Sequence, residues 1–222
     1  MIKAKGARPA RQKRSQQTRD ELLEALARLL RKKDFTDIGV AELAAAAGVS
    51  PGAIYRRFEG GLTEVLIELA RARIDARVRE ADASIKGQSS ANLREALRAA
   101  ARSVWRQATE NAHIFRAAYV HARLRTALVK ARPDLEERSL AGFRAMLENF
   151  RSSVRRSDFD RAVMTVAMLY NTAFLERALF PDRLPTWSKK IDAETYAVEI
   201  AELAYSYLST SDAGDDHRRK SR

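Results

Sequence analysis

The sequence predicts an all-α protein, and three observations carry that prediction. Ala, Leu, Arg and Glu dominate it; apolar residues recur three and four positions apart along most of its length; and only 9 Gly and 5 Pro punctuate 222 residues. These abundant residues lose little conformational freedom in a helix, and the spacing places their apolar members on one helical face. No alternating strand pattern and no internal repeat interrupts the layout. A hydrophobic share of 45% is enough to build a core.

The elements follow in order. Thr18 and Glu21 form a T-x-x-E capping box, so the first helix is expected to begin there. Leu22, Leu26, Leu29 and Leu30 give it an apolar face, and Lys32 and Lys33 suit its C-terminal dipole. Phe35 anchors a short connection through Thr36, Asp37 and Gly39. A second helix is expected over about 40–47, burying Val40, Leu43 and Ala44 and ending at Gly48, which is free to take a positive φ. Val49 plugs the turn, Ser50 stands at the N-cap and Pro51 at the first helical position of a third helix. Gly60 and Gly61 stop it. A long helix is expected from Leu62 to about Ser84, and others over about 91–110, 112–130, 133–155 (opened by Pro133), 158–179 and 192–209. The stretch 180–191, with Pro181 and Pro185, is the longest internal break. After Ser209 the chain turns polar.

Charge narrows the function. A net charge of +12 points to a polyanionic partner, nucleic acid ahead of an anionic membrane surface. Residues 1–60 hold 13 basic and 7 acidic residues, and the longer remainder 28 and 22, so the charge is concentrated at the front. Residues 1–19 carry seven basic side chains and no acidic one. They read as a DNA-touching arm ahead of a merely solvated tail, with Arg11 and Arg14 as its contacts. The absence of Cys removes disulfides and thiolate metal sites and suits a reducing cytoplasm. No secretory signal and no run long enough to span a bilayer stands out, so no membrane partner is expected.

Residues 40–58 follow the grammar of a helix-turn-helix: a short helix, a Gly-containing turn and a capped second helix. Ala44 and Ala47 are small enough for close helix approach, and Val49 and Ile54 fill the space between. The face expected outward holds Ser50, Pro51, Gly52, Ala53, Tyr55, Arg56 and Arg57. No acidic residue lies between Leu43 and Phe58 to repel phosphate in a major groove.

The stretch 18–58, with AELAAAAGVSPGAIYRRF at its heart, resembles the DNA-binding domain of the TetR (tetracycline repressor-like) family. The resemblance implies a three-helix DNA-binding domain over 18–61 and a helical ligand-binding and dimerisation domain over 62–209. By charge and polar composition 1–17 is expected as a basic disordered arm and 210–222 as a disordered tail. The resemblance further implies that Ser50 caps the recognition helix, that Ala53 and Arg56 face bases, that Tyr55 and Arg57 meet phosphates and that Phe58 is core. Three places depart from the family pattern: Ile38 stands where Thr is frequent, Gly39 where Ser or Thr caps the second helix, and Glu59-Gly60-Gly61-Leu62 where a Lys opens the fourth.

In the body, His113 and His121 lack a carboxylate at ligand spacing, so neither a metal nor a cofactor is expected. No nucleophile elbow, phosphate loop or zinc motif suggests catalysis. Trp105, Phe115, Tyr119, Met146, Phe150, Met168, Asn171 and Phe174 fall on successive helices. They are core candidates by composition, and the resemblance implies a cavity among them for a small apolar or amphipathic effector. The last two long helices carry surplus apolar residues, among them Leu203, and are expected to pair in a homodimer that reads a palindromic DNA operator. An architectural DNA-binding protein without a ligand is the competing reading, and a closed body would favour it.

Overall fold

The structure, a computed structural model, describes residues 7–87, 92–122, 126–181, 184–186 and 190–212, without the side chains of 7–14, 81–87, 122 and 132. Among the described residues every regular element is helical. The elements are α1 (Ala7–Leu30), α2 (Val40–Ala46), α3 (Pro51–Tyr55), α4 (Leu62–Gly87), α5 (Leu93–Glu110), α6 (Ala112–Ala122), α7 (Thr126–Glu148), α8 (Phe159–Tyr170), α9 (Glu176–Leu179) and α10 (Ala193–Ser209). They fall into two compact units: Met1–Ala72 with His113–Arg132, and Arg73–Ala112 with Pro133–Arg222. No described helix is long and apolar enough to cross a membrane.

The first unit is built on the spacing that the sequence displays. Leu22, Leu26 and Leu30 of α1, Leu43 of α2, Ile54 of α3 and Leu66 and Leu69 of α4 are all buried, as are Phe35 and Phe58 in the connections. Ile114 and Leu128 are buried in the same unit. The Phe35 ring meets the His121 imidazole at 5.3 Å, which gives that histidine a packing role. Glu68 on α4 accepts from Arg19 on α1 and from Arg71. Burial works against its ionised form, but these hydrogen bonds prevail and hold the carboxyl below its ordinary range.

α1 begins at Ala7, well before the capping box at Thr18. Residues 7–17, expected as a disordered arm, are therefore its opening turns, while 1–6 lie outside the described residues. The segment is rich in Ala, Gln, Arg and Lys, all strong helix formers. Gln16 and Gln17 donate to Asp20 and Glu21 one turn on, so Glu21 is engaged along the helix rather than in a cap.

The second unit centres on α5 and α10, with α7 and α8 closing over them. Its core gathers Leu97 and Ala101, Phe143 and Leu147, Val163 and Tyr170, Phe174, and Ala201 and Ala204. Side chains at the N-caps start three of its helices: Asn92, Asp158 and Asp192 accept from the amides of Glu95, Arg161 and Thr195. Tyr170 is fully buried, and its hydroxyl donates to the Leu97 carbonyl at 2.8 Å.

Further helix boundaries differ from the sequence expectation, among them the end of α7 at Glu148. α6 stops at Ala122 and α7 starts at Thr126, so Pro133 sits inside α7 instead of opening a helix. Its fixed φ suits the α region, and only one backbone hydrogen bond is forfeited. The helix expected over 158–179 contains a π turn, Asn171–Leu175, between α8 and α9. Of the expected disordered tail, Asp212 is described: it accepts from Ser157 and Arg156, and those hydrogen bonds hold its carboxyl far below the usual range. Residues 213–222 lie outside the described residues.

Candidate nucleic-acid interface

α2 and α3 are joined by the turn 47–50. Gly48 sits at φ +67°, a conformation that residues with a side chain rarely adopt, and the Val49 amide returns to the Ala44 carbonyl at 2.9 Å. Ser50 has extended backbone at the α3 N-cap and Pro51 follows at the first helical position. The Ser50 side chain makes no capping hydrogen bond, which corrects the expected hydroxyl cap. At Gly39 the N-cap of α2 has no side chain at all. Glu42, three residues on, pairs with Lys33 at 2.6 Å and takes the Gly39 amide, the reciprocal half of a capping box. That pair with Lys33, against the cost of desolvation, holds the Glu42 carboxyl below its ordinary range.

The outward side of α3 is assembled from Ser50, Pro51, Gly52, Tyr55 and Arg56, all exposed, with Tyr55 at 53%. Gly52 leaves room for the Arg56 guanidinium to lie over it, 3.4 Å from where a Cβ would stand. Ala53 does not belong to this face. It is 7% exposed beside Ile54, because the contact with α2 wraps around the short helix farther than a single stripe. Arg57 is half-buried and leans back toward the Ala53 carbonyl, with its Nε buried and without a hydrogen bond among the described residues. The side chains of Arg11 and Arg14 lie outside the described residues. Gly60 donates to Glu64 at 2.8 Å where the family pattern places a Lys.

Gly61 positions Tyr55. It has φ +59°, and a Cβ there would stand 3.2 Å from the Tyr55 ring. Gly61→Ala is expected to destabilise the first unit by about 1–2 kcal/mol through the left-handed backbone alone. A lowered unfolding midpoint with a displaced Tyr55 ring resonance would register it, and an unchanged midpoint would contradict it.

The effector residues named from sequence are gathered only in part: Met146 and Phe174 belong to the core of the second unit, Trp105 and Phe150 pack against it, and the others lie elsewhere. Phe115, half-buried, and Tyr119, 46% exposed, belong to the first unit. Met168 is 65% exposed, and Phe150 and Asn171 are half-buried. Trp105 and Phe174 pack ring against ring at 6.2 Å in the core of the second unit. Met146 alone of the eight lines the cleft of that unit, with Val104, Phe143, Arg77, Ser103 and Ser139 among its neighbours. The space enclosed is about 30 Å³, roughly that of one water. Sequence reasoning missed Arg77 and Ser103. Arg77 was detectable, because it follows buried Ile74 by three on α4, where an apolar residue would continue the face.

Comparison with known proteins agrees with this geometry. Residues 22–60 match the family of bacterial regulatory proteins, tetR family. No curated protein matches the sequence significantly. Many solved structures match the fold. A protein from a Rhodococcus species assigned to the TetR family superposes with a TM-score of 0.68 at 18% identity, covering 87% of this chain and 100% of its own. The TetR-family regulator PfmR from Thermus thermophilus gives 0.57 at 24%, covering 85% and 99%. The transcriptional regulator FadR from Bacillus subtilis, solved with stearoyl-CoA, gives 0.60 at 18%, covering 85% and 98%. The N-terminal domain thus belongs to the TetR family of bacterial DNA-binding regulators, and the chain as a whole carries the fold of TetR-family transcriptional regulators.

Proposed function

We propose that the protein is a homodimeric repressor that binds a palindromic operator in the cytoplasm through α3 and is released when the second unit takes up a small apolar or amphipathic effector. One observation carries the DNA-binding half: the exposed side of α3 presents Tyr55 and Arg56 beside Ser50, Pro51 and Gly52 with no acidic residue among them. An Arg reaching base edges reads guanine through its O6 and N7 acceptors. Arg56→Ala is expected to cost about 1–3 kcal/mol of operator affinity and to relax base preference at one position in each half-site. Quantitative binding to operators varied one base at a time measures it; a uniform loss over all sequences would assign Arg56 to phosphate instead.

The dimer rests on exposed apolar side chains. Met164 and Met168 lie one turn apart on α8 at 50% and 65% exposure, and Leu203 on α10 is 57% exposed. Such side chains at helical spacing mark a protein-facing surface. For release, α4 and α7 are helices that each run continuously from one unit into the other, and α4 is the one that follows directly on the DNA-binding helices. The effector must favour the geometry that does not fit DNA, and operator DNA must then weaken effector binding by the same factor. The FadR structure with stearoyl-CoA is consistent with an acyl-type effector for this fold.

A further inference from the structure

The cleft of the second unit has a lining that its size does not explain. Its wall is apolar, with Val104 of α5 and Phe143 and Met146 of α7. Three polar groups interrupt that wall. Arg77 of α4 donates through Nη2 to the Ser139 hydroxyl of α7, and among the described residues no carboxylate pairs with it. Ser103 of α5 is 9% exposed, and its hydroxyl is buried without a hydrogen-bond partner among the described residues.

The inventory is one-sided. Ser139 accepts from Arg77 and keeps its own proton, Ser103 keeps its proton, and the guanidinium has N–H groups to spare. The hydroxyl oxygens can accept, but no charged acceptor among the described residues faces the guanidinium. A buried hydroxyl left unmatched is destabilising, and a half-buried cation without an ionic partner gains from an anion placed beside it. Burial pulls the guanidinium down to about 10, so it stays charged at neutral pH. A single water would satisfy one hydroxyl but would not neutralise the charge. An anion with several acceptor lone pairs does both.

We propose that this cleft is the head-group end of an anionic effector site, in which Arg77, Ser103 and Ser139 hold the carboxylate of a small apolar acid and Val104, Phe143 and Met146 meet its hydrocarbon. The proposal rests on the effector reading above and gives that effector its chemical class. In the structure α4 and α7 are closed on each other, with Val78 2.7 Å from where a Gly142 Cβ would stand. Entry of the hydrocarbon therefore requires these helices to part, which ties occupancy to α4.

Calorimetric titration of the full chain with octanoate against octan-1-ol, and with benzoate against benzyl alcohol, tests the proposal. At least one acid is expected to bind roughly 10- to 100-fold tighter than its alcohol. Arg77→Met, which keeps an apolar stem in an apolar wall, is expected to erase that advantage, and Ser103→Ala to reduce it; if Arg77→Met does not fold, the uncharged but polar Arg77→Gln takes its place. Neither acid outbinding its alcohol, or an advantage that survives Arg77→Met, would overturn the proposal. Acid binding that depends on Arg77 but leaves operator affinity unchanged would uphold the anionic site and overturn the effector reading. Release of operator by an alcohol that outbinds its acid would do the reverse.

Discussion

Replacing Leu203 with Glu is expected to leave a folded monomer that holds the operator roughly 10²–10⁴-fold more weakly than the parent dimer, the factor by which two linked half-site contacts exceed one. The position follows from the packing of α8 against α10. The Tyr207 hydroxyl meets Thr165 at 3.3 Å and the Tyr196 hydroxyl donates to the Ala173 carbonyl at 3.1 Å. The two helices therefore run antiparallel, which brings Leu203 level with Met168, and both side chains are exposed. In a two-fold dimer a glutamate here would meet apolar side chains and its own symmetry mate, so two carboxylates would lose water without gaining partners. The side chain is 57% exposed within the chain, so the fold itself has no reason to fail. Sedimentation and operator titration read the result, and a soluble dimer with full operator affinity would remove α8 and α10 from the interface.

Phe174→Ala is expected to cost about 3–5 kcal/mol, the range for removing a fully buried aromatic side chain. Phe174 is 0% exposed, and its ring touches Trp105 at 6.2 Å, Tyr170 at 5.6 Å and Tyr196 at 5.8 Å. Its removal leaves a hole where α5, the π turn and α10 meet, and none of those rings can collapse into it without breaking another contact. The Tyr170 hydroxyl bond to Leu97 fixes one wall of that hole. A denaturant midpoint within experimental error of the parent would contradict the central place given to this residue.

These expectations differ in how far the sequence alone carries them. The helix-turn-helix was legible at its turns, where residues have a local reason to stand where they do, though not in the Ser50 cap or the side to which Ala53 faces. Gly48 needs its positive φ, Pro51 its first-turn position, and Gly61 a backbone that no other residue enters cheaply. The same local logic misplaced the start of α1, because a capping box is only one solution when the preceding residues are themselves good helix formers. It misplaced Pro133, because a proline that opens a helix and one that interrupts it look alike in sequence. Ala53 read as outward on periodicity, yet a helix as short as α3 has little room for a clean polar stripe. The effector residues were the least legible. Apolar type says that a side chain avoids water, not whether it faces the core, like Phe174, or a second surface, like Met168. The cleft's own signal lay in the opposite class, a serine and an arginine on faces otherwise apolar, where only the fold reveals that the Ser103 hydroxyl has no partner and the guanidinium meets Ser139 but no carboxylate among the described residues.

The central claim, a dimer that reads DNA through α3, is tested most directly by selecting bound duplexes from a random-sequence pool with the parent chain and with Arg56→Ala. The account predicts that the parent enriches an inverted repeat whose half-sites are a whole number of helical turns apart, about 10–10.5 base pairs or a multiple of it. It predicts that the variant enriches the same repeat with one position per half-site relaxed. Enrichment of no sequence, or of a single half-site without its inverted partner, would contradict it.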